Sequence, residues 1–185
     1  MQDYREFMEE VLVDEKTIEK RVAELGAQIS RAYEGQELLI VCLLRGGITF
    51  AADLTRALTI PHTLDCMSLS SYGVGHYASS GNVRVNLDLM TNIEGLNVLL
   101  VEDIVDSGRT LAHVLQMLGT REPKSLKVCV LLDKKYRREV PVEVDFVGFD
   151  VPDKYVFGYG IDIDEHFRHL RFIASANMTK YKKSL

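Results

Sequence analysis

A chain of 185 residues has the length of one ordinary domain. Its composition, 46% hydrophobic and 26% charged, belongs to folded chains rather than disordered ones. With 22 Lys+Arg against 27 Asp+Glu the net charge is -5, which argues against a general nucleic-acid or anionic-membrane binder with a basic face. A small anionic ligand remains possible, because local backbone N–H groups can outweigh global charge.

The longest apolar run, Leu38 to Leu44, falls far below the roughly 18 residues a membrane-spanning helix needs. The opening MQDYREFMEE is charged and lacks a signal-peptide core. Cys42, Cys66 and Cys129 are widely spaced in apolar runs, which predicts buried free thiols, a reducing environment and a cytoplasmic protein.

In chain order, Asp14 caps a helix expected to run to about Tyr33. Its apolar positions Ile18, Val22, Leu25 and Ile29 fall at helical spacing, and Gly35 closes it. Leu38 to Leu44 reads as a strand buried on both faces, as in a parallel sheet. Gly46-Gly47 then form a turn into a helix from Ile48 to Leu58. His62 to Leu69 is a further strand. The seventeen residues from Ser70 to Asn86, rich in Ser, Gly, Tyr and Asn, predict a functional loop that can include a short hairpin. Asn97 to Glu102 is a buried strand, Asp103 to Gly108 a turn, and Arg109 to Leu118 a helix. Leu126 to Leu132, Asp145 to Val151 and Tyr155 to Ile161 read as strands. Apolar strands alternating with helices predict an α/β fold with a parallel sheet and helices on both faces. Ligands then belong at the carboxyl ends of the strands.

The chemistry concentrates in Val98-Leu-Leu-Val-Glu102-Asp103-Ile-Val-Asp106-Ser107-Gly108-Arg109-Thr110. A buried strand delivers two adjacent acids, and a turn with a third acid and two hydroxyl groups opens a helix. Free N–H groups at the helix start favour an anion, Gly108 permits close backbone approach, and the acids suit hydroxyls or a divalent cation. His166 and His169 lie three apart, but without a third ligand nearby they read as ordinary surface residues. The basic cluster Lys134-Lys135 and Arg137-Arg138 reads as a solvated hairpin, apart from Lys134 at the strand end.

This stretch resembles the signature of the type I phosphoribosyltransferases, in the form found in their hypoxanthine-guanine branch. Four further segments match in the family's order. They are Leu43-Leu44-Arg45-Gly46-Gly47, Ser70-Ser71-Tyr72-Gly73, Leu131-Leu132-Asp133-Lys134, and the region from Asp145 through Pro152-Asp153-Lys154-Tyr155-Val156 to Gly158-Tyr159-Gly160-Ile161-Asp162. The resemblance implies one domain over 1–185, with a core over about 35–150. A small hood is then built from the N-terminal segment and about 150–185. It implies purine salvage, in which phosphoribosyl pyrophosphate and a purine base are the small-molecule substrates and Mg2+ is the cofactor. Asp106, Ser107, Gly108, Arg109 and Thr110 would cradle the 5′-phosphate. Glu102 and Asp103 would contact the ribose hydroxyls and a metal, and Asp162 a second metal. Asp106 would take the proton from purine N7. Leu44, Arg45 and Gly46 would hold pyrophosphate, helped by Arg168, and the Leu44–Arg45 peptide would be cis. Ser71 and Tyr72 would close over the centre. Lys134 would reach the 6-oxo group, Tyr155 would stack on the ring where the family commonly has Phe, and Val156 and Asp162 would meet the 2-position edge. The resemblance also implies a dimer or tetramer. A xanthine-preferring enzyme, and a nucleotide-sensing RNA-binding regulator on the same fold, are the alternatives; the negative charge disfavours the latter.

Overall fold

The computed structural model describes residues 2–71 and 83–181. A 3-10 turn at Tyr4–Glu6 leads into strand β1 (Met8–Val13) and helix α1 (Glu15–Ala32). Asp14 caps α1 by accepting from the Thr17 N–H at 2.8 Å. Then follow β2 (Leu38–Leu44), α2 (Ile48–Ala57), β3 (His62–Ser71), β4 (Val83–Leu87), β5 (Asn97–Val105), α3 (Arg109–Gly119) and β6 (Ser125–Asp133). Strands β7 (Phe146–Asp150), β8 (Tyr155–Phe157) and β9 (Ile173–Ala176) complete the described elements.

The large sheet has the order β4-β3-β2-β5-β6-β7. All neighbours are parallel except β4, an antiparallel edge strand on β3. Alternate residues of a strand face opposite sides, and the packing follows that rule. Leu38, Ile40, Cys42, Leu99 and Val101 meet Ile18, Val22, Leu25 and Ile29 of α1 and Phe50 and Leu54 of α2 on one face. Leu39, Val41, Leu43, Val98 and Leu100 meet Leu111, Val114 and Leu118 of α3 on the other. The expected α/β sheet covered on both faces is therefore present.

A second, antiparallel sheet, β1-β9-β8, joins residues from both ends of the sequence. Phe7, Phe157, Ile163 and Phe167 fill its own core. Val156, Tyr159, Ile161 and Ile173 pack into the same cluster as α1 and α2, so the two sheets share a hydrophobic interior.

Several boundaries differ from the sequence expectation. Strand β5 continues through Val105, so Glu102 and Asp103 lie inside the strand and the turn shrinks to 106–108. The expected 70–86 loop contains strand at both ends, with Ser70↔Arg84 and Leu69↔Val85 in register. Its middle, including Tyr72 of the expected mobile loop, lies outside the described residues; Ser71 ends β3. Strand β8 stops at Phe157, where Gly158 bridges to Ile161 in a tight turn. Strands β1 and β9 were not anticipated. Cys42 and Cys129 are buried free thiols as expected, whereas Cys66 is only half-buried. Burial pushes the Cys42 thiol up to about 12.

Candidate active site

Strand β2 is followed by α2 and β3 on one side of the sheet order, and β5 by α3 and β6 on the other. The order thus reverses between β2 and β5, where open α/β sheets form their ligand crevice. The β2–β5 ladder runs from Leu39↔Val98 to Cys42↔Val101 and goes no further. Past that point the two strands part. Leu44, Arg45, Gly46 and Gly47 line one side, and Glu102, Asp103 and the turn at 106–108 the other.

The Leu44–Arg45 peptide is cis, as expected. Gly46 has a specific steric reason: a Cβ there would overlap Oδ2 of Asp103. The loop after β2 therefore sits directly against the second acid of β5. Asp103 is 9% exposed, and its Oδ1 accepts from the Ile104 N–H at 2.7 Å. Glu102 Oε1 accepts from the Asp103 N–H at 3.0 Å. Burial, reinforced by the Asp103 charge, holds Glu102 well above the usual carboxylate range. Among the described residues no Lys, Arg or His forms an ion pair with either acid. A buried Asp103 and an adjacent, half-buried Glu102, neither paired with a cation among the described residues, fit a divalent ion whose remaining ligands are not protein side chains, since no group of three metal-binding side chains occurs among the described residues.

The turn at 106–108 opens α3 without a side-chain cap. The Arg109 N–H donates to Ser107 Oγ at 3.4 Å, and the other N–H groups of the first turn are available to an anion. The turn is braced from outside. Ser107 O accepts from the N–H groups of Glu139 and Val140, at 2.9 and 3.0 Å. Arg138 donates to the Asp106 carbonyl at 2.9 Å and ion-pairs with Asp133. Gly108 has φ 83°, and a Cβ there would collide with the Val140 carbonyl. Its glycine is thus required by turn conformation and by this packing. The Arg109 side chain turns to Glu139, Nε to Oε2 2.8 Å, leaving its backbone at the turn. Thr110 is exposed.

Lys134 follows β6, its N–H donating to the Val105 carbonyl at 3.0 Å. Its side chain is buried, with Nζ 3.8 Å from Asp106 Oδ2. Desolvation pulls the ammonium below the ordinary lysine range, and the Asp106 charge opposes that pull. Arg137 Nε stands 2.9 Å from Asp106 Oδ1, and Arg137 also pairs with Asp153 at 3.2 Å. The expected solvated hairpin at 135–138 is therefore corrected. Residues Lys135–Arg137 form a 3-10 turn, and Arg137 and Arg138 hold the site's acids.

The small sheet closes the other side. Tyr155 is half-exposed and Val156 buried at the start and middle of β8. Beyond it, Arg168 pairs with Asp162 (2.8 Å), pairs with Glu165 (3.0 Å) and donates to the Gly160 carbonyl (2.7 Å). Glu165 also pairs with Arg45 at 2.9 Å, which ties this segment to the loop after β2. Both oxygens of Asp162 are engaged, since Oδ2 accepts from the Glu165 N–H at 2.7 Å. A metal at Asp162 would share its carboxylate with Arg168 or displace that arginine. The sequence does not disclose the pairings of Asp133, Arg137, Arg138, Asp153 and Glu165, whose partners are distant in the chain or held by irregular turns. The basic run at 134–138 was the one available signal.

A phosphoribosyl transferase domain model matches residues 9–166, and the chain belongs to that family. The hypoxanthine phosphoribosyltransferase of Salmonella typhimurium is 51% identical over 166 residues, covering 89% of this chain and 93% of that one. The crystal structure of a hypoxanthine-guanine phosphoribosyltransferase from Bacillus anthracis superimposes with TM-score 0.85 at 42% identity, over 92% of this chain and 99% of that one. That of a Staphylococcus aureus hypoxanthine phosphoribosyltransferase gives 0.90 at 37% identity, over 95% of each chain.

Proposed function

We propose that this protein transfers the 5-phosphoribosyl group from phosphoribosyl pyrophosphate to N9 of hypoxanthine, and of guanine, giving IMP or GMP and pyrophosphate. The observation that carries this reading is the buried Lys134 ammonium beside Asp106, at the carboxyl ends of β6 and β5 and next to a helix start whose N-cap Gly108 has no side chain. The names of the similar proteins support it. No observation favours a xanthine-preferring or RNA-binding alternative.

In this reading the large sheet is the phosphoribosyl-binding core and the small sheet the hood over the base. The N–H groups of 106–110 and the hydroxyls of Ser107 and Thr110 hold the 5′-phosphate. Glu102 and Asp103 hold the ribose hydroxyls and Mg2+, which when bound supplies positive charge to the leaving group. Arg45, the Leu44–Gly46 backbone and Arg168 bind pyrophosphate, stabilising charge that develops as its bond to C1′ breaks. Purine N9 attacks C1′ while the N7 proton passes to Asp106. Lys134 donates to the 6-oxo group, Tyr155 covers the ring, and Val156 and Asp162 meet the 2-position edge. Asp162 is also the candidate for a second metal, with no step assigned to it. The protein works as a cytoplasmic homo-oligomer.

Initial rates with hypoxanthine, guanine, xanthine and adenine, each with phosphoribosyl pyrophosphate and Mg2+, test the assignment. Turnover of hypoxanthine to IMP is expected. Absence of IMP from an otherwise folded protein would overturn it.

A further inference from the structure

One carboxylate bridges the two arginines assigned above to pyrophosphate. Glu165 Oε1 meets Arg45 Nη2 at 2.9 Å, and Glu165 Oε2 meets Arg168 Nη2 at 3.0 Å. Two oxygens of a single planar anion thus satisfy two guanidinium groups from separate segments, as a phosphoryl group would. The arrangement is built into the backbone. Asp164 and Glu165 both adopt left-handed conformations, φ 49° and 67°, which non-glycine residues seldom take. The Glu165 N–H is pinned to Asp162 Oδ2 at 2.7 Å. Arg168 is anchored independently by the Gly160 carbonyl and Asp162, so it stays in place whatever Glu165 does. The side chains of Arg45 and Glu165 are 69% and 55% exposed, so their pairing is weak and open to exchange.

We infer that Glu165 is a tethered surrogate for pyrophosphate, occupying both arginines when the site is empty and competing with pyrophosphate and with the diphosphate of the incoming substrate. The inference rests on the assignment of Arg45 and Arg168 to pyrophosphate. A group that must first vacate the arginines lowers the apparent affinity by the fraction of time the site is free. It weakens substrate and product alike, and so hastens departure of pyrophosphate without taking part in bond breaking.

Glu165→Gln removes the competing charge and keeps the backbone contact to Asp162. It should tighten pyrophosphate binding about 2- to 10-fold, the range expected from losing weak exposed pairs. The reading is the Kd for pyrophosphate by titration calorimetry, together with its inhibition constant in turnover. The KM for phosphoribosyl pyrophosphate should fall by a similar factor while that for hypoxanthine stays unchanged. Glu165→Asp keeps the charge but is too short to bridge both arginines, and should tighten binding less. It also serves if the Gln variant melts early. Unchanged or weakened pyrophosphate binding in both variants would overturn the inference, weakening meaning that Glu165 orients the arginines. A wild-type protein that binds neither pyrophosphate nor phosphoribosyl pyrophosphate would instead overturn the assignment of the site.

Discussion

The Lys134 ammonium and the Asp106 carboxylate face one another across 3.8 Å, one carried just past β6 and the other on the turn after β5. The gap is too wide for a hydrogen bond, so each group keeps capacity for a ligand between them. A purine with a 6-oxo group and an N7 proton offers an acceptor to the first and a donor to the second. Adenine offers an amino group where Lys134 needs an acceptor. Sites built around such a bond reject the wrong partner by about 10⁴–10⁵ in kcat/KM. Adenine is expected to be that poor a substrate. Lys134→Gln should slow hypoxanthine turnover and narrow the gap, because an amide accepts as well as donates. Comparable wild-type rates on adenine and hypoxanthine would refute the placement of Lys134.

Asp106→Asn leaves the N–H groups of the turn and the brace from Arg138 to the Asp106 carbonyl in place. Binding of phosphoribosyl pyrophosphate should change little. The proposed proton acceptor is lost, and such groups contribute about 10²–10⁴-fold. Steady-state kcat should fall by that order while the substrate Kd, measured separately, holds. A near-normal kcat would mean that another group takes the proton.

Arg138 pairs with Asp133, whose side chain is 5% exposed. Removing the cation strands a buried charge, at a cost of about 3–5 kcal/mol. Arg138→Met should therefore lower the urea midpoint strongly. Converting Asp133 to Asn in the same chain should restore part of the loss. The single variant should also lose kcat, since the Asp106 turn loses its brace. A midpoint within error of wild type would show the pair to be solvated in solution.

Glu102 is held above the carboxylate range by burial and by Asp103. An acid whose pKa is raised on folding binds its proton more tightly in the native state. Stability should therefore fall as pH rises from the ordinary carboxylate range toward the raised native value, and level off above it. Mg2+ bound between the acids should offset that loss, because a ligand of the native state raises stability. Thermal unfolding across pH, with and without Mg2+, checks both signs. Glu102→Gln should flatten the pH slope and shrink the Mg2+-dependent rise in Tm. An unaltered Mg2+ effect would place the ion elsewhere.

Strands β2 and β5 were legible because both faces are buried, which leaves an unbroken apolar run in each. Helix α1 was legible from the spacing of Ile18, Val22, Leu25 and Ile29, all buried. Strand β1 was not, since Glu9 and Glu10 sit exposed in a strand with one buried residue, Val13. Nor was β9, four residues that include two alanines and a serine. The end of β5 lies later than adjacent acids suggest, because such acids usually mark a strand's solvated tip, whereas here the β5–β6 ladder continues past Glu102 and buried Asp103 to Val105. The family resemblance pointed to Arg45, Lys134 and Arg168, but not to the link between Arg45 and Arg168 through Glu165. That depends on left-handed turns at Asp164 and Glu165 which side-chain pattern does not encode.

The register of the small sheet also dictates an order of assembly. Among the described residues, 8–13 pair only with 173–176, which in turn pair with 155–157. During synthesis the first of these strands must wait, unpartnered, for nearly the whole described chain to emerge. Loop closure over such a span is slow compared with the local β–α–β units of the large sheet. The nascent chain can therefore form the turn at 106–108 and the strand that bears Glu102 and Asp103 well before the small sheet closes beside them. Catalytic competence arrives late, as a property of the finished chain.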